Sequence, residues 1–401
     1  MADDDRVELP KPPRRIPSWA VETALRTSIQ APTPPPSPTP PAPPAPPQWR
    51  FRFVVPLIVF VLVIGAGAGW LIRAESRTLD STKVLLNAGP SVVRVLATTC
   101  NGTGQATGIR LGDALVLTAA SAVRGPVSVA LETDDGRVRR ATVLGTSTDG
   151  VAVLRVIGHL AGQPAELAAE QPDPKADRAI LGYSPEGDQL IHPAGTTAAP
   201  KKLRDIIGET SLGAPVFDND GQVVGLVTGD TVATGKVIAL PELRQYTGSR
   251  PPIAPEPPGV CQAKGPQNPL VPTLAAANTP LAGEVQQTLS AYLNALNKHD
   301  FVAMQATYTK ELSATNDLAA DTARHKTSYA FGATITQVTP SGNTGAFARM
   351  SFTVLYSADG QASKGQTCSR LDIRYFLVRQ DGRMRIRTPE AMPGNQSCDT
   401  D

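Results

Sequence analysis

The sequence predicts a multidomain chain in which a proline-rich arm and one membrane-spanning helix precede an all-β region and a final α+β domain. Three observations lead to this fold class. A run of twenty uncharged residues lies at positions 53–72, and two proline-rich stretches divide the rest of the chain. After the second stretch, the spacing of apolar residues changes from two, which is typical of strands, to about 3.6, which is typical of helices.

The arm comprises residues 1–48. The chain contains 38 prolines, and the stretch 31–47 consists almost entirely of Pro, Ala, Thr and Ser. Proline fixes φ and lacks an amide donor, so this run favours an extended polyproline II conformation. We expect a disordered spacer. The alternative is a ligand for an aromatic groove, because P-x-x-P spacings such as Pro35–Pro38 occur here.

Residues 53–72 follow the arm and predict a single transmembrane helix. At about 1.5 Å rise per residue, such a run spans roughly 30 Å, the thickness of a hydrocarbon core. Trp49 and Trp70 are suited to the two interfaces, and arginines flank the run on both sides. These charges nearly balance, so they do not decide the orientation.

The cysteines decide the orientation instead. All four follow the apolar run without C-x-x-C spacing, at Cys100, Cys261, Cys368 and Cys398. An even number of widely spaced cysteines suits disulfides in an oxidising compartment. Three pairings are open, and we favour Cys100–Cys261 and Cys368–Cys398 because each pair brackets or lies within one predicted domain. The arm is then cytoplasmic; the alternative is free buried cysteines in a cytosolic protein.

Composition limits the classes of binding partner and indicates the kind of organism from which the chain comes. A formal net charge of only +2 provides no field that would attract nucleic acid. The Ala/Pro/Arg-rich style indicates a bacterial, and specifically actinobacterial, plasma membrane protein with its folded domains outside the cytoplasm. No cofactor and no metal site are expected.

Residues 88–250 predict an all-β domain. Short runs rich in Val, Ile and Leu recur between Gly, Asp and Asn turns; they include 91–97, 114–120, 127–133, 151–157 and 222–229. The turn sequences 134–136 (DDG) and 219–221 (NDG) are hairpin signals, because these residues tolerate positive φ. Strands at this spacing predict a sandwich or barrels.

Three segments of this domain resemble the trypsin-like serine proteases of the HtrA type. Residues 102–123 (GTGQATGIRLGDALVLTAASAV) are similar to the hairpin and strand that end in T-x-A-H-V. Residues 135–156 (DGRVRRATVLGTSTDGVAVLRV) are similar to the strand pair that ends in D-[LIV]-A-V-L. Residues 208–229 (GETSLGAPVFDNDGQVVGLVTG) resemble the G-x-S-G-G-P segment. The resemblance implies a double β-barrel with a cleft between the barrels.

The same comparison with the family motifs indicates that the catalytic triad residues are missing. The family's histidine, aspartate and serine positions hold Ser121, Gly150 and Leu212 here, with Asp149 one residue early. A serine nucleophile needs an imidazole to take its proton and a carboxylate to orient that imidazole. All three triad-equivalent positions are therefore lost, and the degenerate triad predicts a pseudo-protease.

Neither the oxyanion-hole position nor another histidine supplies the catalytic groups that the triad positions lack. The hole uses the amide of a glycine, and that position is Thr210. If the alignment with the family motif is shifted by one residue, Ser211 becomes the fallback nucleophile. No such shift supplies a general base. His159 and His192 fall outside the position that the fold aims at the nucleophile.

Residues 251–280 are the second proline-rich stretch and predict an inter-domain linker, and residues 281–401 form the last domain. Apolar residues share one face of the helix predicted over 284–301; they are Val285, Leu289, Tyr292, Leu293 and Leu296. A second helix is predicted over 300–312. The predicted strands are 333–340, 346–358, 369–380 and 383–388, with a hairpin turn at 380–383.

Helices followed by an antiparallel sheet resemble the NTF2-like or SnoaL-like cone fold, with the phrase YLNALNKHDFVAMQATYT similar to its opening helix pair. The resemblance implies a pocket that His299, Asp300 and His325 are candidates to line. We assign no activity to this domain.

The leading hypothesis is an inactive trypsin-like envelope protein that acts as an extracytoplasmic binding or scaffolding module for a protein or peptide partner. An extended peptide would add to an exposed strand edge of the cleft. Two alternatives remain. One is a divergent serine endopeptidase that uses Ser211, and the other is a small-molecule carrier that uses the last domain. The sequence does not indicate an oligomeric state.

Overall fold

A computed structural model describes residues 79–398, with gaps at 103, 113, 161, 174–175, 185–188, 194–211, 230–234, 267, 361–362, 364 and 394, and without the side chains of 189–193. The predicted arm (1–48), the predicted transmembrane helix (53–72), Thr210 and Ser211 lie outside the described residues. Within them, no helix is both long enough and apolar enough to cross a membrane.

The first half of the predicted all-β domain is a closed, six-stranded antiparallel barrel. Its strands are β1 (Val92–Thr99), β2 (Gln105–Arg110), β3 (Leu115–Ala119), β4 (Pro126–Glu132), β5 (Val138–Thr146) and β6 (Val151–Val156). Around the barrel they are ordered β1-β2-β3-β6-β5-β4. All eight residues of β1 are buried, because this strand pairs with β2 and β4 and has packing partners on both faces.

The second half is a five-stranded sheet. Its strands are β7 (Ala179–Tyr183), β8 (Gln189–Pro193), β9 (Pro215–Phe217), β10 (Val223–Thr228) and β11 (Lys236–Ala239). The order is β11-β10-β9-β7-β8, so among the described strands this sheet is open, with edges at β8 and β11. The two predicted hairpin turns are present, with Gly136 at φ +77° and Gly221 at φ +81°.

Residues of β1 contribute to three apolar cores. Val93 and Val95 point into the barrel core. Val92 packs into the core between the barrel and the second sheet, together with helix α1 (Ser81–Ala88). Leu96 belongs to a third cluster that includes the last domain. Because one strand serves three cores, the domains are packed against each other.

The second proline-rich stretch is more than a connector, because residues 251–266 lie along the barrel; we call this segment the strap. Thr146 bridges to Ala254, and Thr99 bridges to Lys264. The Glu256 carboxylate accepts hydrogen bonds from the Gly125 amide at 2.8 Å and from the Thr146 hydroxyl at 2.9 Å. The strap therefore satisfies backbone and side-chain donors at the barrel surface.

Two disulfides are present, and both have the favoured pairing. Cys100 is joined to Cys261 across a sequence separation of 161, which fixes the strap to the barrel. Cys368 is joined to Cys398 across a separation of 30, within the last domain. A cross-link that closes a long loop lowers the entropy of the unfolded chain, so the first disulfide constrains it more.

The last domain begins with four helices, namely α3 (Pro280–Asn297), α4 (Phe301–Gln305), α5 (Lys310–Thr315) and α6 (Leu318–His325), which follow the short α2 (Leu240–Leu243) of the previous domain. The predicted apolar face of α3 is buried, with Tyr292 half-buried. The prediction of one helix over 300–312 is wrong. Thr307 and Thr309 instead exchange backbone hydrogen bonds with Ile386, which separates α4 from α5.

An antiparallel sheet completes the α+β architecture. Its strands are β12 (Thr273–Leu274), β13 (Tyr329–Ser341), β14 (Gly345–Leu355), β15 (Cys368–Gln380) and β16 (Arg383–Ala391), in that order, with β17 (Gln396–Ser397) beside β15. The β12–β13 pair is parallel, and the described β13–β14, β14–β15, β15–β16 and β15–β17 pairs are antiparallel. Asp381 and Gly382 form the predicted turn at φ +53° and +76°. All four predicted strands are present.

The barrel and the last domain share a buried interface. Leu96 and Val138 of the barrel pack in one cluster with Phe331 and Leu355 of the last domain. The Ser128 hydroxyl donates to the Thr367 carbonyl at 2.8 Å. This interface has the composition of a domain core, with a hydrogen bond at its margin.

The same interface contains an ionic group. The Arg94 guanidinium, which is 2% exposed, lies 3.1 Å from the Glu132 carboxylate. Arg370 of the last domain lies 3.9 Å from that carboxylate, and Gln105 accepts further hydrogen bonds from Arg94. One carboxylate of β4 thus faces a cation from each domain.

Candidate functional site

Three loops bring the triad-equivalent positions together at one end of the barrel. Ser121 lies in a single 3-10 turn that follows β3, Gly150 directly precedes β6, and Leu212 precedes β9. The Ala120 amide donates to the Gly150 carbonyl at 2.8 Å, which holds the first two loops together.

The Ser121 hydroxyl is half-buried and donates a hydrogen bond to the Gly229 carbonyl at the end of β10. Gly150 has φ +86°, and a Cβ added there would lie 3.5 Å from the Thr228 Cβ. The position has room for a side chain, but its backbone conformation is one that L-residues adopt only at a cost. The two positions that hold the base and its carboxylate in the family are therefore occupied by a hydroxyl and a bare backbone.

Leu212 and Gly213 pack tightly against the barrel. Leu212 is 7% exposed, and its carbonyl accepts a hydrogen bond from the Thr107 amide at 2.9 Å. Gly213 has φ +77°, and a Cβ added there would overlap the Thr107 carbonyl oxygen and the Thr118 hydroxyl. Only glycine fits here, since both the conformation and the close approach exclude a side chain.

The Asp149 carboxylate is hydrogen-bonded to a tyrosine, whereas the family's aspartate orients the catalytic histidine. The Asp149 carboxylate accepts a hydrogen bond from the Tyr246 hydroxyl at 3.0 Å, and the same hydroxyl lies 3.0 Å from the Ser147 hydroxyl. Burial, followed by the Asp149 carboxylate, raises the pKa of Tyr246, so this phenol remains a donor. The arrangement fixes the loop before β6 onto the 3-10 turn that contains Tyr246.

No histidine with a described side chain lies at this site. His159 is exposed beyond the far end of β6, and six strand residues at about 3.3 Å each place it roughly 20 Å from Gly150. The backbone of His192 pairs with Ile180 in edge strand β8. Within the described residues, no group of three or more His, Cys, Asp or Glu could hold a metal ion.

A second candidate site lies in the last domain, where a pocket of about 250 Å³ opens between α3, α6 and the sheet. Of the three candidates from sequence, only His325 lines it. His299 lies against Tyr329 in a tilted arrangement, with ring centroids 4.6 Å apart, and Asp300 caps α4 through the Ala303 amide at 2.9 Å. Burial lowers the pKa of His325 and, outside the pocket, that of His299.

Sequence reasoning missed Arg324 and Tyr356, which also line the pocket. It missed Arg324 because α6 was not predicted. A signal was available, since Asp317 is a suitable N-cap for the run that follows and accepts from the Ala319 amide at 3.2 Å.

Residues 106–226 match the family model of the trypsin-like peptidase domain. The match covers the region that the sequence motifs identified, so the trypsin-like character of this domain is confirmed. A comparison with curated proteins finds no match for the chain.

Several solved structures share parts of the fold. An inactive mutant form of Rv3671c from M. tuberculosis H37Rv is 28% identical, with a TM-score of 0.34, over 40% of this chain and 86% of that one. The active form of the same protease is 26% identical, with a TM-score of 0.35, over 44% and 86%. A serine endoprotease from Yersinia pestis is 15% identical, with a TM-score of 0.36, over 42% and 65%.

Proposed function

We propose that the trypsin-like domain is catalytically inactive and acts as a binding or scaffolding module of a bacterial envelope protein. The observation that carries this proposal is the contact of Ser121. At the family's histidine position, a hydroxyl donates to a backbone carbonyl, where catalysis requires an imidazole that accepts the nucleophile's proton.

The neighbouring positions support the same proposal. Loss of triad members costs several powers of ten in rate, and losing all three leaves only binding and any oxyanion stabilisation. Gly150 provides no carboxylate, and the carboxylate of Asp149 is hydrogen-bonded to Tyr246. Leu212 is an apolar, buried side chain at the nucleophile's position.

A binding role is supported by the shape of the second sheet. The edge strands β8 and β11 each have one neighbour among the described strands, so each is available to pair with an extended peptide. Main-chain hydrogen bonds would provide affinity for such a peptide without any catalytic group. The packed interface between the barrel and the last domain would hold the two domains in a fixed relation, as a scaffold requires.

The envelope location is supported by two independent features. The uncharged run 53–72 has the length of a membrane-spanning helix. Both disulfides lie on its C-terminal side, which suits an oxidising compartment. Alkaline phosphatase, which is active only outside the cytoplasm, tests the predicted orientation when it is inserted after Gln48 of the full-length chain or fused after Asp401. Activity of the second fusion alone is expected, and the reverse result would refute the orientation.

A fluorophosphonate probe tests the absence of an activated serine. The full-length chain is purified in detergent under oxidising conditions, with mass spectrometry to verify both disulfides. It is then treated beside an active trypsin-like protease as a positive control. We expect label on the control protease alone. Label at Ser211 that disappears in Ser211→Ala would overturn the proposal and establish the divergent endopeptidase.

A further inference from the structure

The pocket of the last domain has the chemistry of a ligand site, and its assignment does not depend on the proposed role of the trypsin-like domain. It lies between α3, the last turn of α6, and strands β14 and β15. Its volume of about 250 Å³ is close to the lower end of the range for small-molecule sites, roughly 300–1,000 Å³. The occupant is therefore a small molecule.

The inner wall of the pocket is apolar. Leu296 and Phe352 are buried members of the domain core and also line the pocket, as does Val354. Leu371 and the ring of Tyr292 complete this wall and are only partly covered by the core. Each methylene group placed against such a surface strengthens binding, because it leaves water.

Two nitrogen-bearing side chains belong to the lining of the pocket. Arg324 and His325 end α6, and both line the pocket. Within the described residues, neither side chain has a hydrogen bond or an ion pair to a protein group; their electrostatic neighbours are Asp321, Tyr292, Tyr308 and His299. Asp321 is itself buried and accepts from the Gln305 amide at 3.0 Å.

Three other arginines of this domain have carboxylate partners within it. Arg349 pairs with Asp372, Arg374 pairs with Glu390, and Arg379 pairs with Glu284. Arg324 differs because its guanidinium stands beside an apolar pocket. A planar guanidinium matches the geometry of a carboxylate and forms two parallel hydrogen bonds with it.

Also in the lining of the pocket, the Tyr356 and Ser369 hydroxyls lie 2.6 Å apart, hydrogen-bonded to each other. One hydroxyl of this pair donates and the other accepts, so the accepting hydroxyl keeps its own O–H to donate. Among the described residues that line the pocket, Arg324 is the only one with a permanent charge, whereas Thr327, Ser328 and Ser363 are neutral polar residues. The pocket therefore favours a ligand that has one charged end and an apolar body.

We propose that this pocket binds a small amphipathic carboxylate, with its head on Arg324 and His325 and its apolar body against Leu296, Phe352 and Leu371. A neutral molecule of the same shape would gain the apolar contacts only. A larger lipid with two chains would exceed the volume.

The test measures binding of a homologous series, from butanoate to decanoate, to the full-length chain in detergent by calorimetry. Octanol serves as the uncharged counterpart of octanoate. We expect affinity to rise roughly fourfold per methylene and then level off once the pocket is filled. We expect Arg324→Gln to weaken octanoate about tenfold and to leave octanol unchanged.

Arg383→Gln is the matched control, because Arg383 is an exposed arginine of the same domain that does not line the pocket. Leu371→Trp places a large side chain on the wall and is expected to abolish binding of both ligands. Circular dichroism verifies that each variant is folded. No binding of the series, equal loss in Arg324→Gln and Arg383→Gln, or unchanged binding in Leu371→Trp would each overturn the proposal.

Discussion

Substitution of Gly213 by alanine tests how tightly the loop that contains Leu212 and Gly213 is packed against the barrel. Gly213 has φ +77°, and its added Cβ would overlap backbone and side-chain atoms of β2 and β3, including the Ala119 amide nitrogen at 2.9 Å. The conformation alone costs about 1–2 kcal/mol. Displacing packed strands costs about 1–3 kcal/mol more. We expect the free energy of unfolding to fall by about 2–5 kcal/mol.

Gly112→Ala is the matched control. Gly112 has a similar φ of +81°, but no atom lies within 4 Å of the position of its added Cβ. This variant bears only the conformational cost, about 1–2 kcal/mol. The difference between the two variants therefore isolates the steric contribution at the site.

Urea denaturation followed by far-ultraviolet circular dichroism measures both variants with the disulfides intact. Circular dichroism is preferable to tryptophan fluorescence because all three tryptophans precede the described residues; they are Trp19, Trp49 and Trp70. We expect equal urea slopes and a lower midpoint for Gly213→Ala. Equal midpoints for the two variants would refute the close packing of the loop before β9.

Two further predictions concern the packed interface and the histidines of the last domain. Glu132→Gln leaves the buried Arg94 without its carboxylate and should lower the free energy of unfolding by about 3 kcal/mol, whereas Glu390→Gln at the exposed pair with Arg374 should cost under about 1 kcal/mol. Equal costs in urea titrations would contradict the interface. Burial lowers the pKa values of His299 and His325 below 6.5, so the unfolded chain binds more protons and stability should fall as the pH drops through about 6.5. Substituting both histidines by glutamine should reduce this fall between pH 7 and pH 5, and an unchanged fall would contradict their burial.

The strands and the triad-equivalent positions were accessible from sequence because they depend on local patterns. The runs around 92–99 and 151–156 are short, apolar and bounded by turn residues, and both are strands. Ser121 and Gly150 could be placed because each adjoins such a strand. The separation of His159 from the site also follows from strand length.

The remaining features depend on contacts between distant parts of the chain. The sequence predicted a linker where the strap lies, because proline-rich composition does not reveal that the Glu256 carboxylate accepts a hydrogen bond from the Gly125 amide. The break between α4 and α5 comes from pairing with Ile386, which lies about eighty residues later. The docking of Leu96 against the last domain likewise has no local signal, since an apolar strand residue fits any core.

Peptide hydrolysis by the full-length chain tests the central claim most directly. A quenched-fluorescent peptide library is incubated with the wild type and with Ser211→Ala at equal concentrations, with an active trypsin-like protease as the positive control. The absence of the imidazole and carboxylate at Ser121 and Gly150 predicts no turnover above that of Ser211→Ala. Turnover by the wild type that is lost in Ser211→Ala would contradict the account.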